Sequence, residues 1–193
     1  MPAQTSELSE EHLIQRAQRG DATAFGDLYE QQLAAIYRYI FYRVGNVAEA
    51  EDLTETVFLK AWEALGHYRW REVPFSAWLY RIAHNVIVDR YRSKRDLVPL
   101  DEHTDLHDTA DGPEEWMAEV ETAEVLSRAI AQLPPDYQQV LVLRFINGLS
   151  HAETSLVLGR SEEAVRVLQH RALNAIRSIL NRTPRAVLER ELR

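Results

Sequence analysis

Apolar positions recur at helical spacing along almost the whole chain. Phe25, Leu28, Ile36 and Ile40 line one face of a long segment that opens at Asp21 and stops at Gly45. Asp21 is a good N-cap, and glycine is the usual left-handed residue at a helix end. Asn46 caps the next segment, with Glu49 three residues on as in a capping box. Leu53, Val57, Ala61 and Leu65 form its stripe, and Gly66 ends it. A loop over residues 66–74, interrupted by Pro74, leads to a helix predicted from about residue 75 to residue 95. Trp78, Ile82 and Val86 recur there every four residues.

The pattern then lapses. Val98-Pro99-Leu100 is held extended by proline, and residues 101–112 are acidic with little to bury. Pro113 suits the first turn of a new helix running to about Gln132, where Leu133-Pro134-Pro135 breaks it. A further helix is predicted from about Asp136 to Asn147, with Val140, Leu141, Leu143 and Ile146 apolar and Gly148 as its stop. Ser150 and Glu153 form a full capping box that opens a short helix to about Val157. Leu158-Gly159-Arg160 makes a tight turn, and Ser161 caps a longer helix to about Leu180. Its inner stripe is Val165, Leu168, Ala172, Ile176 and Ile179. No strand pair and no repeat of fixed period is visible. The expected fold is all-α: two small helical domains, residues 1–95 and 118–193, joined by an acidic linker, residues 96–117.

Charge sharpens this division. The net charge of −8 is strongly segregated. Residues 66–95 hold 7 Lys/Arg against 2 Asp/Glu, a net of +5, and residues 125–193 hold 10 against 6, a net of +4. Residues 96–124 hold no base and 11 acids, and residues 1–65 carry a net of −6. Two basic blocks flanking an acidic one point to two anion-binding modules on a linker that repels anions. The absence of cysteine excludes disulfides and thiolate metal sites. No signal peptide is read at the N-terminus and no run is long enough to span a bilayer, so a cytoplasmic protein without membrane insertion is expected.

The first basic block interleaves rings with guanidiniums: Tyr68, Arg69, Trp70, Arg71, Phe75, Trp78, Tyr80, Arg81, Arg90, Tyr91, Arg92. Flat rings and fixed positive charge are what unstacked bases and phosphates bind. The competing explanation is burial, the usual fate of large rings. Trp78, Ile82 and Val86 look like packed core. Tyr68, Trp70 and Phe75 lie before that stripe and are the better candidates for exposed rings.

In the second block, short helix, glycine turn and longer helix form the helix-turn-helix pattern. The second helix of that motif reads bases in the major groove near its N-terminus. Arg160, Ser161, Glu162, Glu163, Arg166, Gln169, His170 and Arg171 are placed there. A plain helical hairpin in a bundle is the alternative.

Together, these residues resemble a known family, the extracytoplasmic-function group of the sigma-70 transcription initiation factors. Ala50-Glu51-Asp52-Leu53 with Phe58-Leu59 and Trp62 is similar to the helix that docks on the polymerase clamp. Phe75-Ser76-Ala77-Trp78-Leu79-Tyr80-Arg81-Ile82-Ala83-His84-Asn85, with Asp89 and Arg92, resembles the promoter-melting segment. Leu133-Pro134 through Leu143-Arg144, Gly148-Leu149-Ser150, Leu158-Gly159-Arg160-Ser161 and Val165-Arg166 match the fourth sigma domain. Members usually carry Gln and Glu where Glu55 and Thr56 stand. In the recognition helix, many have Gly-Thr-Val-Lys-Ser-Arg where this chain has Glu163 through Leu168.

The resemblance implies a dissociable polymerase subunit with no catalytic chemistry. Glu51, Asp52, Glu55 and Phe58 would contact core RNA polymerase. Tyr68, Arg69, Trp70, Arg71, Arg81, Asn85, Asp89 and Arg92 would hold the minus-10 element and its melted strand. Residues 160–171, with Arg160, Ser161, Glu162, Glu163, Arg166, His170 and Arg171, would read the minus-35 element. Promoter DNA and core polymerase are the implied partners. An anti-sigma factor is a further one, and the free chain is expected to be a monomer. Asn85 also reads as a polar spacer, and Asp89 with Arg92 as an ion pair at i,i+3.

Two rival functions are weighed. A helix-turn-helix repressor or activator would act as a homodimer without polymerase, and exposed loop rings argue against it. An enzyme would need a constellation that is missing: no phosphate loop, nucleophile elbow or Glu-flanked His pair is present. His103 and His107 have i,i+4 spacing but lie in the acidic linker, where no helix aligns them. No cofactor and no metal site is read.

Overall fold

Asp21 caps its helix as its side chain requires. Its carboxylate accepts from the amides of Thr23 and Ala24, each at 3.1 Å. The helix it opens, α2 (Ala22–Val44), ends at Gly45 with φ +71°, a left-handed conformation that glycine adopts without strain. In this computed structural model, residues 3–69, 73–97 and 114–182 are described, with side chains over 10–69, 73–93 and 123–182.

Four helices form the N-terminal bundle: α1 (Ala3–Gln18), α2, α3 (Val47–Ala64) and α4 (Phe75–Leu97). Asn46 accepts from the Glu49 amide at 2.8 Å and starts α3. The Glu49 carboxylate does not complete a capping box; it pairs with Arg90 of α4 at 3.1 Å. α1 was not expected from the apolar pattern. Its buried face is thin, with Ile14 and Ala17 packed on α2, but Gln18 ties it down by donating to the carbonyls of Leu65 and Tyr68. Ile36, Tyr39 and Ile40 of α2, Val57 and Ala61 of α3, and Phe75, Leu79, Ala83 and Ile87 of α4 make the core. Each large apolar side chain buried there contributes about 1.5–3 kcal/mol.

The C-terminal group is α5 (Glu114–Ala131), α6 (Pro135–Leu141), α7 (His151–Leu158) and α8 (Glu162–Arg182). The expected helix to Asn147 is not uniform. After Leu141 it widens into a π-helical turn, Val142–Ile146, closed by the Asn147 amide on the Val142 carbonyl. Val142 and Leu143 stay buried, while the wider turn leaves Phe145 about half exposed. The capping box at Ser150 is complete: Ser150 Oγ accepts from the Glu153 amide and Glu153 accepts from the Ser150 amide. Gly159 follows with φ +62°. The linker, with His103 and His107, lies outside the described residues except near its ends. No strand is present among the described residues.

The two groups pack on one another: α5 lies on α2, α7 on α4, and the π turn on α2. The segregated charge gave no sign of that contact.

Candidate nucleic-acid interface

Burial of one side of α4 fixes what its other side presents. Phe75, Leu79, Tyr80, Ala83, Val86 and Ile87 turn inward, so Asn85, Asp89 and Arg92, at i, i+4 and i+7, lie exposed along one ridge. Asp89 and Arg92 make no ion pair with each other. Arg69 is exposed in the preceding loop, and Trp70 and Arg71 lie outside the described residues.

Tyr68 overturns its expectation. Its side chain is buried, 5 % exposed, with ring centroids 5.6 Å from Phe75 and 4.8 Å from Trp78. Burial, with a smaller contribution from Glu10, pushes its phenol well above the ordinary range. Phe75 is likewise fully buried. The Pro74 break permits a loop, but Tyr68 and Phe75 fold back over the bundle. Neither ring is available to a base in this packing. Trp78, expected as core, is only half-buried.

Arg81 is half-buried, because it reaches the C-terminal group. Its Nε donates to the Val157 carbonyl at 3.3 Å, and a terminal nitrogen donates to the Leu156 carbonyl. Beside it, His84 is held below 6.5, first by burial and then by the Arg43 guanidinium; Asp136 opposes the shift.

The helix-turn-helix is assembled as its caps require. Ser161 Oγ accepts from the Ala164 amide at 3.2 Å. Val165, Ala172 and Ile176 bury one face of α8. Glu162, Glu163, Arg166, His170 and Arg171 are exposed on the rest, and Gln169 is half-buried against Arg144, whose Nε donates to it at 3.0 Å. Arg166 pairs with Glu162 at 3.0 Å, one turn earlier, and Arg160 pairs with Asp136 at 2.6 Å. His170 and Asn174 are 3.1 Å apart.

On α3, Glu51, Asp52 and Glu55 are exposed. Phe58 is a second correction: it is buried, its ring edge-on to Tyr29 at 4.6 Å. The stripe Leu53, Val57, Ala61 places position 58 beside the inner face, which the helical period already implied. Besides Val47 at its start, the apolar groups that α3 presents are Leu59, 59 % exposed, and Trp62, 38 % exposed and set edge-on to Phe25.

A cavity of about 490 Å³ separates the two groups of helices. Arg81, His84 and Asn85 line it from α4, Asp136 and Gln139 from α6, and Arg160 from the turn. Among the described residues, no cluster of three or more His, Asp or Glu is placed to hold a metal ion, and no helix is long and apolar enough to cross a membrane.

Sequence comparison agrees with this division into two groups. Residues 28–96 match the family Sigma-70 region 2, and residues 123–176 match Sigma-70, region 4. The chain is 41% identical over 170 residues to the ECF RNA polymerase sigma factor BldN of Streptomyces coelicolor, covering 87% of this chain and 64% of BldN. It thus spans less than two thirds of that relative. With the ECF sigma factor SigW of Bacillus subtilis it shares 32% over 177 residues, 86% of this chain and 94% of SigW. Among solved structures, CnrH in complex with the cytosolic domain of CnrY has the same fold. Its TM-score is 0.70 at 24% identity, over 91% of this chain and 99% of that one. RpoE in complex with the anti-sigma factor NepR from Bartonella quintana gives 0.57 at 17% identity, over 81% and 98%. Carrying both sigma-70 modules in order, at this identity to SigW over nearly all of its length, the chain belongs to the ECF sigma factors of the sigma-70 family.

Proposed function

We propose that this chain directs core RNA polymerase to specific promoters and assists their melting, and carries no catalytic chemistry of its own. One observation carries the reading. The two sigma modules each present a separate polar surface: Asn85, Asp89 and Arg92 along α4, and Arg166, His170 and Arg171 along α8.

Residues 1–95 are assigned to core polymerase and the minus-10 element, 96–117 to a linker, and 118–193 to the minus-35 element. Arg69, Trp70, Arg71 and Arg81 join the α4 ridge in holding melted DNA, where guanidiniums meet phosphate and a ring receives an unstacked base. Arg160, Ser161, Glu162 and Glu163 sit with Arg166 at the N-terminal end of α8, the part of a recognition helix that reaches base edges. Glu51, Asp52 and Glu55 dock on the polymerase, with Leu59 and Trp62 as the apolar contribution in place of Phe58. The protein works in the cytoplasm, is monomeric when free, and is held by an anti-sigma factor.

The test is reconstitution. Core polymerase with this protein should yield transcripts from discrete promoters sharing two spaced elements. A chain that leaves core polymerase unspecific, yet binds duplex DNA tightly as a dimer, would be a repressor instead.

A further inference from the structure

Among the described residues of α8, Val167 is the large apolar side chain that stands furthest into solvent, 47 % exposed. A lone apolar group on a surface is ordinary. The place of this one is not. Valine is a poorer helix former than alanine or leucine, because its branched side chain loses rotamer freedom against the preceding turn. At an outward helix position it brings neither good propensity nor burial.

Helical geometry fixes its direction. At about 3.6 residues per turn, Val167 points about 140–180° away from Val165, Ala172 and Ile176, the residues that α8 buries. The opposite side of the helix is a strip of four exposed residues, Glu163, Val167, His170 and Asn174, which fall within about 60° of one another. Arg166 and Arg171, also exposed, flank this strip on opposite sides, each about 40° beyond its edge.

The charges decide what can lie over the strip. Guanidiniums on both rims attract the phosphates of the two strands that border a groove. The Glu163 carboxylate, one turn before Val167, repels them. Phosphates therefore follow the rims, and the middle of the face meets base edges. His170 and Asn174 lie 3.1 Å apart and, with the acceptor Glu163, can match donors and acceptors on those edges. Val167 has no polar atom with which to do so. In the major groove, the apolar feature a base edge offers is the C5 methyl of thymine.

We propose that Val167 is a specificity-determining residue: its side chain packs on the C5 methyl of one thymine in the minus-35 element. The inference deepens the promoter-binding reading above and rests on it. A base without that methyl at the same position leaves the valine against water or a polar edge, and binding weakens.

Deoxyuridine differs from thymidine by this methyl alone, so it isolates the contact. In a promoter found by reconstitution, each minus-35 thymine on either strand is replaced in turn by deoxyuridine, and binding by the reconstituted polymerase is measured. One replacement should weaken wild-type binding about fourfold, the value of one buried methyl group. In Val167→Ser the same replacement should have no effect. Serine resembles valine in helix propensity and the position is exposed, so urea unfolding of Val167→Ser should match wild type. The proposal is overturned by an element without a methyl-dependent thymine, by a uridine penalty that persists in Val167→Ser, or by a marked loss of stability in that variant. If wild type gives no promoter-specific transcript, the sigma reading fails, and the same scan moves to duplex sites that the free chain selects from random sequence. Methyl dependence there, abolished in Val167→Ser, would uphold the contact without polymerase; a chain that selects no site overturns both readings.

Discussion

The Tyr68 hydroxyl donates to the Val73 carbonyl at 2.6 Å, tying together the two ends of the loop that enters α4. Its ring meanwhile fills the space beside Phe75 and Trp78. Tyr68→Phe should therefore cost about 0.5–1.5 kcal/mol, the net value of one hydrogen bond. Tyr68→Ala should cost about 3–5 kcal/mol, as for other large aromatic truncations. Urea unfolding measures both. A Tyr68→Ala protein of normal stability that fails only in promoter opening would restore the base-stacking role.

Acid should weaken the fold through His84. Burial and Arg43 keep its imidazole neutral below 6.5, while the unfolded chain takes up a proton near that value. The unfolded state then binds more protons, so the stability is complete above about pH 6.5 and declines as pH falls below it. Urea midpoints at pH 7.5 and 5.5 should differ more for wild type than for His84→Gln. An equal difference would place the sensitivity in other groups.

Ser150→Ala removes the acceptor of the Glu153 amide and half of the reciprocal cap. A loss of about 1 kcal/mol is expected, which lowers Tm by roughly 2–4 °C in a protein of this size. Glu153 is held below the ordinary carboxylate range first by its bonds to Ser150. The wild-type advantage should thus persist above pH 4.5 and fade as Glu153 is protonated in more acidic solution. Calorimetry across that range decides it.

Arg166 pairs with Glu162, so a DNA phosphate or base would compete with that carboxylate for the guanidinium. Arg166→Ala should weaken use of the minus-35 element by about 1–3 kcal/mol if it pairs bidentately with guanine, and leave core polymerase binding unchanged. Glu162→Gln should act in the opposite sense, because it frees the guanidinium and removes a like charge from the phosphates. Footprinting with the reconstituted polymerase reads both. Equal loss of core binding in Arg166→Ala would assign the residue to structure.

Local chemistry was legible in the sequence. Asp21, Asn46, Ser150 and Gly159 each act within four residues of themselves, and each does what its side chain or its left-handed backbone dictates. The inner stripes of α3 and α8 followed from the helical period alone. What failed depended on distant partners. Tyr68 was read from Pro74 as loop, but Gln18 and Val73 anchor it from either side. Phe58 was read from a motif, although its neighbour Leu59 faces outward. α1 has too few apolar positions to announce itself and is held by what it touches. Arg43 carries no sequence signal of its own; it is buried and lies 3.2 Å from His84, 41 residues away.

Arg81 joins α4 to α7, so this contact is made or broken within a single chain. Closure within one chain does not weaken on dilution, so every ligand that needs the open form meets the same handicap at any protein concentration. A chain closed about nine-tenths of the time binds such a ligand about tenfold more weakly than its open form would. A ligand that prefers the closed form, in contrast, gains from the same equilibrium. The strength of one interdomain cap thus bears on every ligand that prefers one arrangement of the two groups over the other.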